Sequence, residues 1–161
     1  MQPYSFSSAR EFFESASEAA RDARRVDRQL AAMESRALSL GGGGFEPRVR
    51  STPDPDRIGA NVASGMDVRA ILEARRDEDG RVTDAACRVL YGPDRRSGLC
   101  ALVGWPADAI YHHYIALRTW EQVADMLGYS VSHVKHSVSV AMDYADANGQ
   151  MWTELGRGMA E

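Results

Sequence analysis

Residues 106–148 read PADAIYHHYIALRTWEQVADMLGYSVSHVKHSVSVAMDYADAN, and this stretch decides the fold. Pro106 suits a first helical turn, where its missing N–H would have had no partner. Thr119 followed by Gln122 is the capping-box spacing, in which each side chain bonds the other's backbone N–H. Val123, Ala124 and Leu127 make one apolar face, and Gly128 stands where a left-handed residue ends a helix. Ser130 then caps a helix carrying Val131, Val134, Val138 and Ala141. The spacing predicts two short helices joined at a glycine, a helix-turn-helix. Ala124 is small where the two would cross, and Leu127 and Val134 would fill the space between them.

Upstream, the chain reads as helices separated by a glycine-rich loop and a turn. Phe12, Ala16, Ala19, Ala23, Val26, Leu30, Met33, Ala37 and Leu40 alternate in steps of four and three. That is a heptad seam, with Glu, Asp and Arg between the seam positions. Gly41–Gly44 stops it, and residues 41–55 have turn formers and no period. Ile58, Val62, Gly65, Val68 or Arg69, and Leu72 resume the spacing, and Val82, Ala86, Val89 and Leu90 continue it. Gly80 costs about 1 kcal/mol inside a helix, so this is one long helix to Tyr91 or two broken at Asp79-Gly80. Tyr91-Gly92-Pro93-Asp94 reads as a turn, and a short helix is expected over Ser97–Val103. A long Ala-rich stripe cannot bury itself alone. It asks for a returning helix, a second copy, or both. The expected class is therefore all-α: a long N-terminal helical hairpin or coiled-coil arm plus a C-terminal helix-turn-helix. The arm is expected over 1–91, with helices near 7–40 and 56–91. The helix-turn-helix domain follows over 92–148 and a tail over 149–161, where Trp152 would pack back or contact a partner.

The text of the motif is more specific than its pattern. Tyr114-Ile115, Arg118-Thr119-Trp120-Glu121, Val123-Ala124, Leu127-Gly128-Tyr129-Ser130 and Val134-Lys135 together resemble the fourth, promoter-reading region of bacterial sigma factors. Pro106–Leu117 would be that region's supporting helix, and Ala141-Met142 stands where the family has Ala-Leu. The layout as a whole resembles the ArpU/RinA-type phage late transcription regulators. The resemblance implies prophage origin, double-stranded DNA binding and transcription regulation. Two alternatives stay open: a terminase small-subunit-like DNA-recognition protein for packaging, and a module that docks on RNA polymerase or another protein. A homodimer through the N-terminal helices would place two motifs on one duplex.

In this motif the early residues of the second helix lie nearest base edges. Position by position, the resemblance puts Val131, Ser132, Lys135 and His136 at base or phosphate contacts, with His133 beside them and Ser130 capping. Ser137 and Val140 stand where sigma-like helices often carry basic residues. Between Pro106 and Asn148 the basic residues are Arg118 and Lys135, against Asp108, Glu121, Asp125, Asp143 and Asp146. Phosphate neutralisation supplies most non-specific affinity, so one motif alone is expected to bind weakly. Arg48, Arg50, Arg95 and Arg96 would add contacts if they share its face. Protonation of His133 and His136 would strengthen binding below about pH 6.5.

The remaining composition excludes more than it assigns. The net charge is −4, unlike a basic nucleic-acid coat, and Lys135 is the only lysine. Cys87 and Cys100 have no metal-site spacing and read as buried free thiols. No apolar run suits a membrane span, and the first residues lack a leader's basic start and apolar centre, so a cytoplasmic location is expected. No P-loop, dinucleotide fingerprint or nucleophile–base pair appears, so neither an enzyme nor a cofactor is expected. His133 and His136 are a helical turn apart, but nothing nearby completes a metal set. Trp105, Tyr111, Tyr114 and Trp120 read as core.

Overall fold

The computed structural model describes residues 6–41 and 55–148, with side chains over 6–39 and 65–148. Among the described residues every regular element is helical. They are α1 (Ala9–Gly41), α2 (Pro55–Tyr91), α3 (Cys100–Val103), α4 (Pro106–Ile110), α5 (Trp120–Leu127) and α6 (Val131–Ala147). A π-helical turn, Tyr111–Ile115, continues α4. The loop over 42–54, including Arg48 and Arg50, lies outside the described residues, as do the side chains of Leu40, Ile58 and Val62. So does the tail from Gly149 onward, with Trp152.

The chain forms two compact units, and α1 and α2 each run through both. The sequence suggests a boundary after Tyr91. The two compact units divide inside the two long helices. One unit joins residues up to Arg21 with those from Asp79 onward; the other is Asp22–Glu78.

In the Asp22–Glu78 unit, Arg75 pairs with Asp22 and Arg69 with Glu34, so α1 and α2 run antiparallel. Val26 and Leu30 are buried on the expected seam. The seam then fades: Met33 is half-buried and Ala37 exposed. Leu38, Met66, Val68 and Ile71 are exposed as well. Heptad spacing names the positions that can face a neighbour, but burial needs a neighbour along the whole length.

The other unit holds the larger core. The start of α1 is fixed by Ser8, whose hydroxyl accepts from the Glu11 N–H, while the Glu11 carboxylate accepts from Ser7. Asp146 on α6 also accepts from the Ala9 N–H at 2.6 Å. An acidic group at a helix N-terminus meets both an orphan donor and the positive end of the dipole. Phe12 and Phe13 are both buried, and Phe13 packs on Tyr114 with 6.2 Å between ring centroids. Val89, Leu90, Leu99, Ile110, Val123, Val134, Val138 and Met142 complete the same cluster.

The stretch through Gly80 is one unbroken helix, α2. Nothing lies within 4 Å of the space a Cβ would take at Gly80, so the residue stands on an open face. After Tyr91 the Asp94 carboxylate accepts from the N–H groups of Arg96 and Ser97 and closes a tight turn. The helix expected from Ser97 starts only at Cys100, because Ser97 is held in that turn and Leu99 N–H bonds the Val89 carbonyl at 3.0 Å. Gly98 sits against the backbone of Leu90, Tyr91 and Gly92, in space that a Cβ would fill.

Candidate nucleic-acid interface

The two helices that would form such an interface, α5 and α6, are set by local chemistry. Thr119 accepts from the Gln122 N–H at 3.3 Å, and the Gln122 side chain accepts from the Thr119 N–H at 3.0 Å. Gly128 is left-handed, with φ of 74°, and its N–H returns to the carbonyls of Ala124 and Asp125. Ser130 accepts from the His133 N–H and starts α6. Val123, Ala124, Val134 and Val138 are buried along the line where α5 and α6 pack.

The named residues divide by exposure. Ser130, Ser132, His133, Lys135 and His136 are exposed on the first turns of α6. Val131 is half-buried and packs against the core, so it is the least available of the set. His133 is drawn sideways: its ring lies 5.6 Å from Trp105 and 5.2 Å from Tyr129, while Trp105 and Tyr129 stack at 4.6 Å. Trp105 is thus half-buried in a surface stack. Tyr129, 44% exposed, is a neighbour that residue spacing had not singled out. Ser132, Lys135 and His136 remain the unencumbered outer face.

Beside this face, the π turn separates the two adjacent histidines. Ala116 N–H reaches back to Tyr111, Arg118 N–H reaches His112, and Leu117 takes φ of 58°. His112 lies edge-on to Tyr111. His113 stacks on Trp120 at 3.7 Å with 21° between the rings, and its Nδ1 is 2.9 Å from the Arg118 carbonyl. Burial holds the His113 imidazole below the ordinary histidine range; Arg21 of α1 and Lys135 push the same way, while the Arg118 carbonyl and Glu121 oppose them. Burial lowers His112 too, helped by Arg118 and opposed by Asp108. Glu121 is held below the usual carboxylate range, first by its own backbone N–H, then by the Thr119 hydroxyl, with Lys135 and His113 adding to it.

An open groove flanks α6. His136 with Leu102, Pro106, Val140 and Tyr144 lines an open groove of about 400 Å³. Tyr91 donates to Asp108 at 2.8 Å, and burial, with that bond, pushes its phenol well above the usual range. Arg95 and Arg96 are exposed in the turn before α3. Among the described residues no group of three or more His, Cys, Asp or Glu is placed to hold a metal. No helix among them is long and apolar enough to cross a membrane. No family model, curated protein or solved structure matches the chain.

Proposed function

We propose that the chain is a DNA-binding transcriptional regulator of phage type, reading double-stranded DNA with the first turns of α6. The observation that carries this reading is the outer face of Ser132, Lys135 and His136, presented by a helix whose start is fixed by Ser130 and the left-handed Gly128. A rigid helix with polar side chains at its N-terminal end can enter a major groove and present donors to base edges. The sigma-like text of residues 114–135 supports the same reading.

Two copies would act together. Lys135 is the only lysine and the α6 face is thinly charged, so affinity for one half-site is low. Leu38, 77% exposed, and Ile71, 67% exposed, belong to the Asp22–Glu78 unit and offer apolar surface for self-association. Selection of bound duplexes from a random library tests the reading. Enrichment of one motif, with two half-sites, is the expected result. A library that emerges unenriched contradicts it.

One observation favours a second reading, a docking module for RNA polymerase or another protein. Leu102, Val140 and Tyr144 are 47%, 52% and 43% exposed along the groove beside α6. Co-purification with polymerase, lost in Val140→Asp and accompanied by no duplex selection, selects that reading over the first.

A further inference from the structure

We propose that the groove beside α6 is a docking site for the chain's own tail, which covers it with Met151, Trp152 and Leu155. The groove is lined by Leu102 of α3, Pro106 of α4 and, on α6, His136, Val140, Ala141 and Tyr144. Leu102, Val140 and Tyr144 are exposed around this one concavity. Covering apolar surface is worth about 25 cal/mol per Å². α3, α4 and α6 belong to the same compact unit.

The occupant follows from where the chain leaves α6. His136, Val140 and Tyr144 stand four residues apart and share one face of the helix. Asn148 is the next position on that stripe, and the helix ends there. Its N–H bonds the Tyr144 carbonyl at 3.1 Å, and its side-chain amide donates to the same oxygen at 2.8 Å. The chain therefore departs at the end of the groove and on the groove's own face. It continues as Gly149-Gln150-Met151-Trp152-Thr153-Glu154-Leu155. Val140 lies about 12 Å back along α6 from Asn148, at 1.5 Å per residue. An extended chain from Asn148 reaches about 13 Å at Trp152 and about 23 Å at Leu155. A tail reversed at Gly149 thus brings Trp152 to Tyr144 and Val140, and Leu155 toward His136. A tryptophan side chain buries about 150–250 Å². A short tether also holds the tail at an effective concentration in about the mM range, an advantage that no separate partner shares. An occupant from the same chain accounts for the exposed groove residues without a foreign protein.

His136 lines the groove and also belongs to the outer face of α6. On the function proposed above, the docked tail and a duplex compete for it, so the tail restrains DNA binding.

NMR of the isotope-labelled full-length protein tests the docking. The Trp152 indole N–H is identified by its loss in Trp152→Phe. Nuclear Overhauser contacts are expected from the Trp152 ring to the methyls of Val140 and Leu102, and Val140→Asp should abolish them. Val140 is exposed, so its replacement leaves the core intact. In a mixture of labelled and unlabelled protein, contacts confined to single chains uphold the proposal. Contacts only between chains overturn it in favour of a second copy. A Trp152 ring with no contact to the groove, and as open to a soluble relaxation agent in wild type as in Val140→Asp, overturns it outright. Duplex binding separates the consequence from the docking. Trp152→Ala should bind a short duplex several-fold more tightly than wild type. Docked contacts with unchanged duplex affinity uphold the docking and overturn the competition. Docked contacts in a protein that binds no duplex uphold the docking and overturn the DNA-binding reading.

Discussion

Gly98 and Gly128 are both glycines of necessity, for different reasons. Gly128 has φ of 74° and open space around it, so a side chain there meets only the cost of a left-handed backbone. Gly128→Ala should lower stability by about 1–2 kcal/mol. A Cβ at Gly98 would lie 2.5 Å from backbone atoms of Leu90, Tyr91 and Gly92, which cannot rotate away. Gly98→Ala should therefore cost more, about 3 kcal/mol. Urea unfolding of the two variants orders them, and equal midpoints would contradict the close approach. Gly128 is legible in the sequence because Leu127-Gly128-Tyr129-Ser130 is a local signal. Gly98 is not, since the atoms it meets come together only through the turn at Asp94. On α6, Lys135→Ala should weaken binding to all duplexes alike and lower the salt slope by about one, whereas His136→Ala should change which sequences are preferred. Salt-dependent binding that is unchanged in both variants would remove the first turns of α6 from the interface.

The helices differ in what holds them. α5 and α6 begin at side-chain caps that the text of the chain spells out, Thr119 with Gln122 and Ser130. α1 has a local cap at Ser8, but Asp146 supplies a second, from the far end of the sequence. Ala9 is wholly buried, so losing that acceptor strands an N–H away from water. Asp146→Ala should cost about 1–3 kcal/mol, and Asp146→Asn, which keeps a carbonyl oxygen, much less. Thermal melting of the pair measures the difference, and equal losses would show that the contact contributes nothing specific. The period of α1 was readable because burial follows the seam from Phe12 to Leu30. Its extent was not, because Ala37 and Leu38 keep the spacing's neighbourhood yet stay exposed. Likewise Gly80 marks a break by propensity alone. A single glycine costs about 1 kcal/mol, less than the packing of the neighbouring turns at Ala85, Ala86, Val89 and Leu90 returns.

At the scale of the whole molecule, two partly buried histidines make stability depend on pH. His112 and His113 both have pKa values below the ordinary 6.5, chiefly through burial. A lowered folded-state value means that the unfolded chain binds more protons in this range. The stability they contribute is complete above about pH 6.5 and is lost as pH falls toward the folded values. The free protein should thus melt at lower temperature at pH 5.5 than at 7.5, and His113→Gln should flatten that dependence. Melting that is insensitive to pH between these values would contradict the burial of both rings. The all-helical class was legible from periodicity and caps, which are local. A role for the surface is proposed from a resemblance, since exposed side chains leave no period behind.

If α6 reads DNA, the chain binds a particular duplex more tightly than others. Equilibrium binding of the purified protein to duplex fragments of its own genomic neighbourhood, at 50 and 200 mM salt, tests it most directly. These concentrations span the range over which phosphate contacts weaken by orders of magnitude. Saturable binding to one fragment, weakening with salt yet still exceeding binding to the others, is the expected result. Binding that is absent, or equal for every fragment and lost uniformly with salt, would contradict it.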